Sequence, residues 1–134
     1  MTPLLARGEQ AEEGFVSHAC RNITPVLNRV GDKWSMQIVM ALSFGSRRFS
    51  ELKRELDGIS QRMLTLSLRG LERDGLITRT VTPTIPPRVD YELTELGLSL
   101  KAPVKALGQW ASDHIECIRA AQERFDEAHD EAAA

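Results

Sequence analysis

The chain has 134 residues, of which 42% are hydrophobic, 27% charged and only 5% aromatic. These values are ordinary for a soluble globular protein, and they favour one domain with short appendages and an aliphatic core. No apolar run approaches the roughly 20 residues that a membrane-spanning helix needs. The N-terminus lacks the basic and long apolar segments of a secretory signal. We therefore expect a cytoplasmic protein with no membrane partner.

The formal net charge of −2 conceals a basic centre between acidic ends. Residues 15–111 carry 14 basic and 9 acidic side chains, whereas residues 112–134 carry 2 basic and 7 acidic ones. A basic centre of this kind is typical of a module that binds a polyanion.

The two cysteines, Cys20 and Cys117, lie far apart and do not have the spacing of zinc ligands. His18 is close to Cys20 in sequence, but no third orienting group or oxyanion motif accompanies the pair. We predict no metal site, no cofactor and no enzymatic activity.

Two helices are predicted at the start of the patterned region. Thr24 is expected to cap the first, with Pro25 at its first helical position and an end near Gly31. Asp32 is expected to cap the second, over residues 33–43.

The next two helices have the spacing of a helix-turn-helix. Ser50 is expected to cap a short helix that includes Leu56, and Ser60 a longer one that ends near Asp74. Three leucines of the longer helix share one face and are expected to be buried. They are Leu64, Leu68 and Leu71.

A β-hairpin is predicted to follow, with strands over residues 77–82 and 88–93 and a proline-rich tip between them. Thr94 then opens a long helix, which Pro103 should kink or restart. Three helices followed by a hairpin indicate a mainly α protein with a winged helix-turn-helix.

The predicted organisation has four parts. They are an N-terminal arm (1–19), the winged helix-turn-helix (20–95), a C-terminal helix (96–125) and an acidic tail (126–134).

The third helix of such a core lies in the DNA major groove. Its exposed face supplies an amide that suits adenine, guanidinium groups that suit guanine or phosphate, and methyl groups that suit thymine. Its N-terminus supplies free backbone N–H groups that favour phosphate. The predicted DNA-binding residues of this helix are Ser60, Gln61, Arg62, Thr65, Leu66 and Arg69.

Four further basic side chains are candidates for phosphate contacts. Arg47 and Arg48 precede the helix-turn-helix, Arg88 follows the hairpin tip, and Lys33 begins the second helix. Each could instead be an ordinary surface residue, and Arg88 could be the cross-strand partner of an acidic neighbour.

Five sequence blocks lie in a fixed order along the chain. They are Val30-Gly31-Asp32-Lys33-Trp34, Arg47-Arg48-Phe49-Ser50-Glu51-Leu52, Gly58-Ile59-Ser60-Gln61-Arg62-Met63-Leu64, Leu68-Arg69-Gly70-Leu71-Glu72-Arg73-Asp74-Gly75-Leu76 and Pro86-Pro87-Arg88-Val89-Asp90-Tyr91-Glu92-Leu93-Thr94. Over about residues 20–111 the chain thereby resembles HxlR-type winged-helix transcriptional regulators, relatives of the MarR group.

The resemblance implies a homodimer that binds a pseudo-palindromic operator of double-stranded DNA, usually as a repressor. It implies that Cys20 stands near the place of a sensor for oxidants or electrophiles, although Arg21 replaces the usual proline. It also implies that the terminal helices form the dimer interface. The interface residues expected on this basis are Leu100, Val104, Leu107, Trp110 and Ile115.

Two other functions stay open. The chain could be a regulator gated by a small molecule without thiol chemistry, or a winged helix that binds another protein, since a fold does not fix a function. Cys20 could equally be an inert, partly buried thiol. Four large side chains are more typical of a core or dimer contact than of a ligand pocket. They are Trp34, Met36, Met63 and Trp110.

Overall fold

A computed structural model describes residues 20–133, with the side chains of residues 22–130. The elements are α1 (Cys20–Gly31), α2 (Lys33–Leu42), β1 (Arg47–Arg48), α3 (Phe49–Glu55), α4 (Gln61–Arg73), β2 (Ile77–Thr82), β3 (Arg88–Leu93), α5 (Glu95–Leu98) and α6 (Lys101–Ala133). The predicted mainly helical fold with a small antiparallel sheet is confirmed. The predicted N-terminal arm over residues 1–19 lies outside the described residues.

The sheet contains the predicted hairpin and one strand that the sequence did not reveal. The hairpin strands β2 and β3 have the predicted bounds, and the strand order is β1-β3-β2. Strand β1 pairs Arg47 with Tyr91 and Arg48 with Asp90. The prediction of a two-stranded hairpin was incomplete because a strand of two residues has no alternation of its own and exists only through its pairing with β3.

A single aliphatic core lies between the helices and the inner face of the sheet. The leucines of α4 point into it as predicted, with Leu64 and Leu71 fully buried and Leu68 2% exposed. Trp34 packs against this core from α2, as expected of a core residue. The other buried members are Ile38, Val39, Leu42, Leu52, Leu56, Ile59, Leu76, Ile77 and Tyr91.

Two helix starts differ from the prediction. Helix α1 begins at Cys20 rather than after a Thr24 cap, and Pro25 lies inside it. As the sixth residue of α1, Pro25 has no N–H to donate to the carbonyl of residue 21, so the helix lacks one backbone hydrogen bond near its start. Helix α3 begins at Phe49 with Arg48 as its N-cap, where the Glu51 carboxylate accepts the Arg48 backbone N–H at 3.1 Å. This bond takes the place of the expected Ser50 cap.

The C-terminal region is divided as Pro103 indicated. Thr94 caps the short helix α5 by accepting the Gly97 N–H at 3.0 Å, and α6 starts afresh with Pro103 as its third residue. Helix α6 then continues to Ala133 and includes most of the segment predicted as a tail. Within residues 20–133 no helix is both long and apolar enough to cross a membrane.

Candidate nucleic-acid interface

Helix α4 begins with a side-chain cap at the predicted residue. Ser60 is extended, and its Oγ accepts the Met63 backbone N–H at 3.0 Å. The Gln61 and Arg62 N–H groups also lie in the first turn, where a helix provides no carbonyl partner for them. This end of α4 therefore presents polar hydrogens and the positive end of the helix dipole to an anion.

The face of α4 opposite the buried leucines is open to solvent. Gln61, Arg62 and Arg69 are exposed, and Leu66 is 49% exposed. Thr65 is half-buried and its Oγ1 donates to the Gln61 carbonyl at 2.9 Å, which leaves its methyl group for apolar contact. Arg62 and Arg69 are seven residues apart, about 10 Å along the axis. The predicted base-reading residues thus share one continuous surface.

The two arginines of this surface carry unneutralised charge. Among residues 22–130, neither Arg62 nor Arg69 takes part in an ion pair. Arg73 at the end of the helix lies 3.9 Å from Asp74. A helix face with free guanidinium groups attracts a polyanion.

The two arginines before the helix-turn-helix differ: Arg48 is exposed, whereas Arg47 is held by an ion pair within the chain. The Nε atom of Arg47 lies 3.0 Å from Glu55 Oε1, and its Nη1 donates to the Ser46 carbonyl at 3.0 Å. Only 24% of the Arg47 side chain is exposed. A phosphate contact from Arg47 would require this ion pair to open, whereas Arg48 is in no ion pair within the described side chains.

The other two phosphate candidates also have intrachain partners. Arg88 Nε lies 3.0 Å from Asp90 Oδ2, so the alternative of an acidic neighbour is observed, although on the same strand. Half of the Arg88 side chain remains exposed. Lys33 Nζ lies 4.4 Å from the Trp34 ring centroid. Lys33 also lines a groove between α2 and α6, which is described below.

A cleft of about 270 Å³ separates α4 from the sheet. Thr65, Arg69 and Glu72 line it from α4, and Arg79 lines it from β2. Arg79 is not among the DNA-binding residues predicted from the sequence. The two-residue alternation of β2 from Ile77 would have placed Arg79 on the inner face of the sheet.

A larger groove of about 570 Å³ runs between α2 and α6. Most of its lining side chains are apolar, and Met36 is among them. Its lining residues are Lys33, Met36, Gln37, Met40, Ala41, Glu55, Leu56, Val104, Lys105, Leu107, Gly108 and Ala111.

The residues predicted for the dimer interface fall into two groups. Leu100 packs against the core and Val104 is 6% exposed, so both are covered by their own chain. In contrast, Leu107, Trp110 and Ile115 are exposed by 52%, 55% and 38%. The exposed part of α6 is therefore the apolar surface that a partner could cover.

Of the two cysteines, the structure describes the side chain of Cys117. Cys117 on α6 is a free, exposed thiol. Cys20 is the first residue of α1, and its side chain lies outside the described residues. In the part of the chain that the structure covers, no group of three His, Cys, Asp or Glu side chains could hold a metal ion.

Comparison with known proteins identifies relatives of the same architecture. A family model described as HxlR-like helix-turn-helix matches residues 29–119. The HTH-type transcriptional regulator YtcD of Bacillus subtilis is 44% identical over 97 residues, which cover 72% of this chain and 77% of YtcD.

Solved structures agree with this match. The transcriptional regulator YtfH of Salmonella typhimurium superimposes with a TM-score of 0.68 at 40% identity, over 73% of this chain and 88% of YtfH. The redox regulator HypR in its reduced form superimposes with a TM-score of 0.67 at 37% identity, over 71% of this chain and 94% of HypR.

Proposed function

This chain belongs to the HxlR-like helix-turn-helix family of transcriptional regulators, and we propose that it acts in the cytoplasm as a homodimeric repressor on a pseudo-palindromic operator. Membership confirms the resemblance and the expectation that the chain is not an enzyme. The observation that supports the proposal most is the exposed face of α4, where Arg62 and Arg69 have no acidic partner among the described residues.

Helix α4 inserts its N-terminal half into the major groove in this proposal. A helix of 13 residues is about 20 Å long, enough to follow the groove across several base pairs. Gln61 and Arg62 read base edges, and Thr65 and Leu66 offer methyl groups to thymine. Phosphate contacts, including one from the exposed Arg48, supply most of the affinity.

The DNA-binding step is tested with a duplex selected by the wild-type protein from a random library. Arg62→Ala should weaken binding to this duplex by about 1–3 kcal/mol and relax the base preference. Arg119→Ala is the matched control because it removes one exposed arginine, which pairs with Glu116, from α6 and not from α4 or the sheet. Wild-type protein that ignores random duplex DNA even at low salt would contradict the proposal and favour the protein-binding alternative.

The dimer forms through the exposed apolar side chains of α6. Trp110 and Ile115 lie three and eight residues after Leu107, each within about 80° of it around the helix. Exposed apolar patches of this kind mark association surfaces. Trp110→Asp should convert the dimer to a monomer in analytical ultracentrifugation, whereas Ser112→Asp should not. A wild-type protein that sediments as a monomer at micromolar concentration would contradict the dimer.

Cys20 senses oxidants or electrophiles in this proposal. Support comes from the likeness to HypR, which is named a redox regulator and has been solved in reduced and oxidised forms. Cys20→Ser should abolish the loss of DNA binding after treatment with diamide, and Cys117→Ser should leave it intact. If Cys20→Ser still responds to diamide, Cys20 is not the sensor.

The groove between α2 and α6 favours a second candidate function, a regulator gated by a small molecule. Its volume and mostly apolar lining are typical of ligand sites. A compound bound there would contact both α2 of the DNA-binding core and α6. Release of DNA by a compound in the Cys20→Ser, Cys117→Ser double variant would support this candidate over thiol sensing.

A further inference from the structure

Arg79 belongs to a row of three side chains that crosses the sheet. Strand β3 places Tyr91 opposite Arg79 of β2 and opposite Arg47 of β1. Residues that lie directly opposite in antiparallel strands point to the same face. Because Tyr91 is 8% exposed and belongs to the core, both arginines lie on the inner face of the sheet.

The positive charge of Arg47 is paired with an acidic side chain, whereas that of Arg79 is not paired within the described residues. Arg47 has an intrachain partner, since Glu55 Oε1 lies 3.0 Å from its Nε. Arg79 is exposed and takes part in no ion pair within residues 22–130. Ile77, two residues earlier on the same face, is 2% exposed. A charged side chain beside such an apolar surface keeps its stem on that surface and directs its head group toward solvent.

The head group of Arg79 has a defined surrounding. Arg79 lines the cleft of about 270 Å³ together with Arg69 of α4, and Glu72 is the acidic residue of the lining. Neither guanidinium approaches Glu72 closely enough to form an ion pair in the described part of the chain. Two positive groups in one cleft repel each other, and an anion between them would remove that repulsion. Thr65 lines the same cleft and belongs to the base-reading surface, so the cleft opens beside that surface.

We propose that this cleft binds one backbone phosphate of the DNA duplex between Arg69 and Arg79. Guanidinium groups bind phosphate through paired, charge-assisted hydrogen bonds. The contact fixes the position of α4 in the groove and assigns Arg69 to phosphate rather than to a guanine edge. The inference rests on the proposed DNA-binding function and adds a contact from the base of the hairpin.

The first test is the salt dependence of DNA binding, measured on a random-sequence duplex and on the duplex selected by the wild-type protein. Each phosphate contact contributes about 0.9 to the slope of log K against log salt concentration. Arg79→Gln should lower the slope on both duplexes by at most about that amount, since Arg69 remains beside the phosphate, and the charge-matched Arg119→Gln should leave it unchanged. Arg79→Lys keeps the charge and should retain most of the slope, which separates loss of contact from loss of fold.

The second test locates the phosphate. Neutral methylphosphonate groups are introduced one position at a time into the selected duplex. Wild-type protein should lose affinity at one position in each half-site, and Arg79→Gln should lose less affinity there because only Arg69 still contacts the phosphate. An equal loss at every position in both proteins would overturn the inference.

The remaining outcomes separate this inference from the proposed function. Wild-type protein that binds DNA with a slope unchanged by Arg79→Gln would overturn the phosphate contact and leave DNA binding intact. Wild-type protein that binds no duplex would overturn both. If inorganic phosphate at constant ionic strength stabilises wild type but not Arg79→Gln, while the slope is unchanged, the cleft is a site for free phosphate and the inference fails.

Discussion

The substitution Gly97→Ala should destabilise the junction between the wing and α6. Gly97 is buried in α5, where a Cβ atom would overlap the Leu76 carbonyl oxygen and lie 3.0 Å from Leu93 Cδ2. The same carbonyl accepts the Thr94 backbone N–H at 3.1 Å. Because the obstructing atom is backbone, α5 must move away and this hydrogen bond must weaken.

The expected loss is about 2 kcal/mol in the free energy of unfolding. Overpacking costs about 1–3 kcal/mol, and loss of one hydrogen bond costs about 0.5–1.5 kcal/mol. The higher helix propensity of alanine returns about 1 kcal/mol.

Gly108→Ala is the matched control because Gly108 also lies in a helix but has no atom within 4 Å of the added Cβ. It should stabilise the protein by about 0.5–1 kcal/mol. The assay is urea unfolding followed by circular dichroism at one fixed protein concentration, since association would change the apparent stability. A Gly97→Ala variant that is as stable as wild type or more stable would refute the close packing of α5 on Leu76.

Three further predictions concern α4 and its neighbours. Leu64→Ala should cost about 2–5 kcal/mol of stability because Leu64 is fully buried. Leu66→Ala should change stability by less than about 0.5 kcal/mol and yet weaken DNA binding. Thermal melts measure the first effect and a mobility-shift assay the second. Ser60→Ala should lose about 1 kcal/mol in urea unfolding through its N-cap, and an unchanged midpoint would contradict that role. Asp74→Asn should cost less than about 1 kcal/mol, because its ion pair with Arg29 is about one-third exposed on both sides; a larger loss in the same assay would contradict this.

The sequence predicts best where one periodicity extends over a whole element. Strands β2 and β3 were placed at their observed bounds because β2 is rich in residues that favour strands, β3 alternates polar and apolar residues, and a proline-rich tip separates them. The buried face of α4 followed from the spacing of Leu64, Leu68 and Leu71, and the cap from Ser60.

What the sequence did not predict depends on contacts between distant residues. Strand β1 exists because Arg47 pairs with Tyr91, 44 positions along the chain. The Glu55 partner of Arg47 and the place of Arg79 beside Arg69 likewise follow from the assembled sheet. Helix α1 was predicted too short because Pro25 was expected at the first helical position, whereas it is the sixth residue of the helix.

The length and exposure of helix α6 couple its folding to formation of the proposed dimer. With 33 residues it extends for about 50 Å, yet within residues 101–130 only Val104 is buried. Long helices in water draw most of their stability from packing against other elements. In the proposed homodimer, the outer turns of α6 would become ordered as two chains associate, so that dilution should unwind this helix before it melts the winged core.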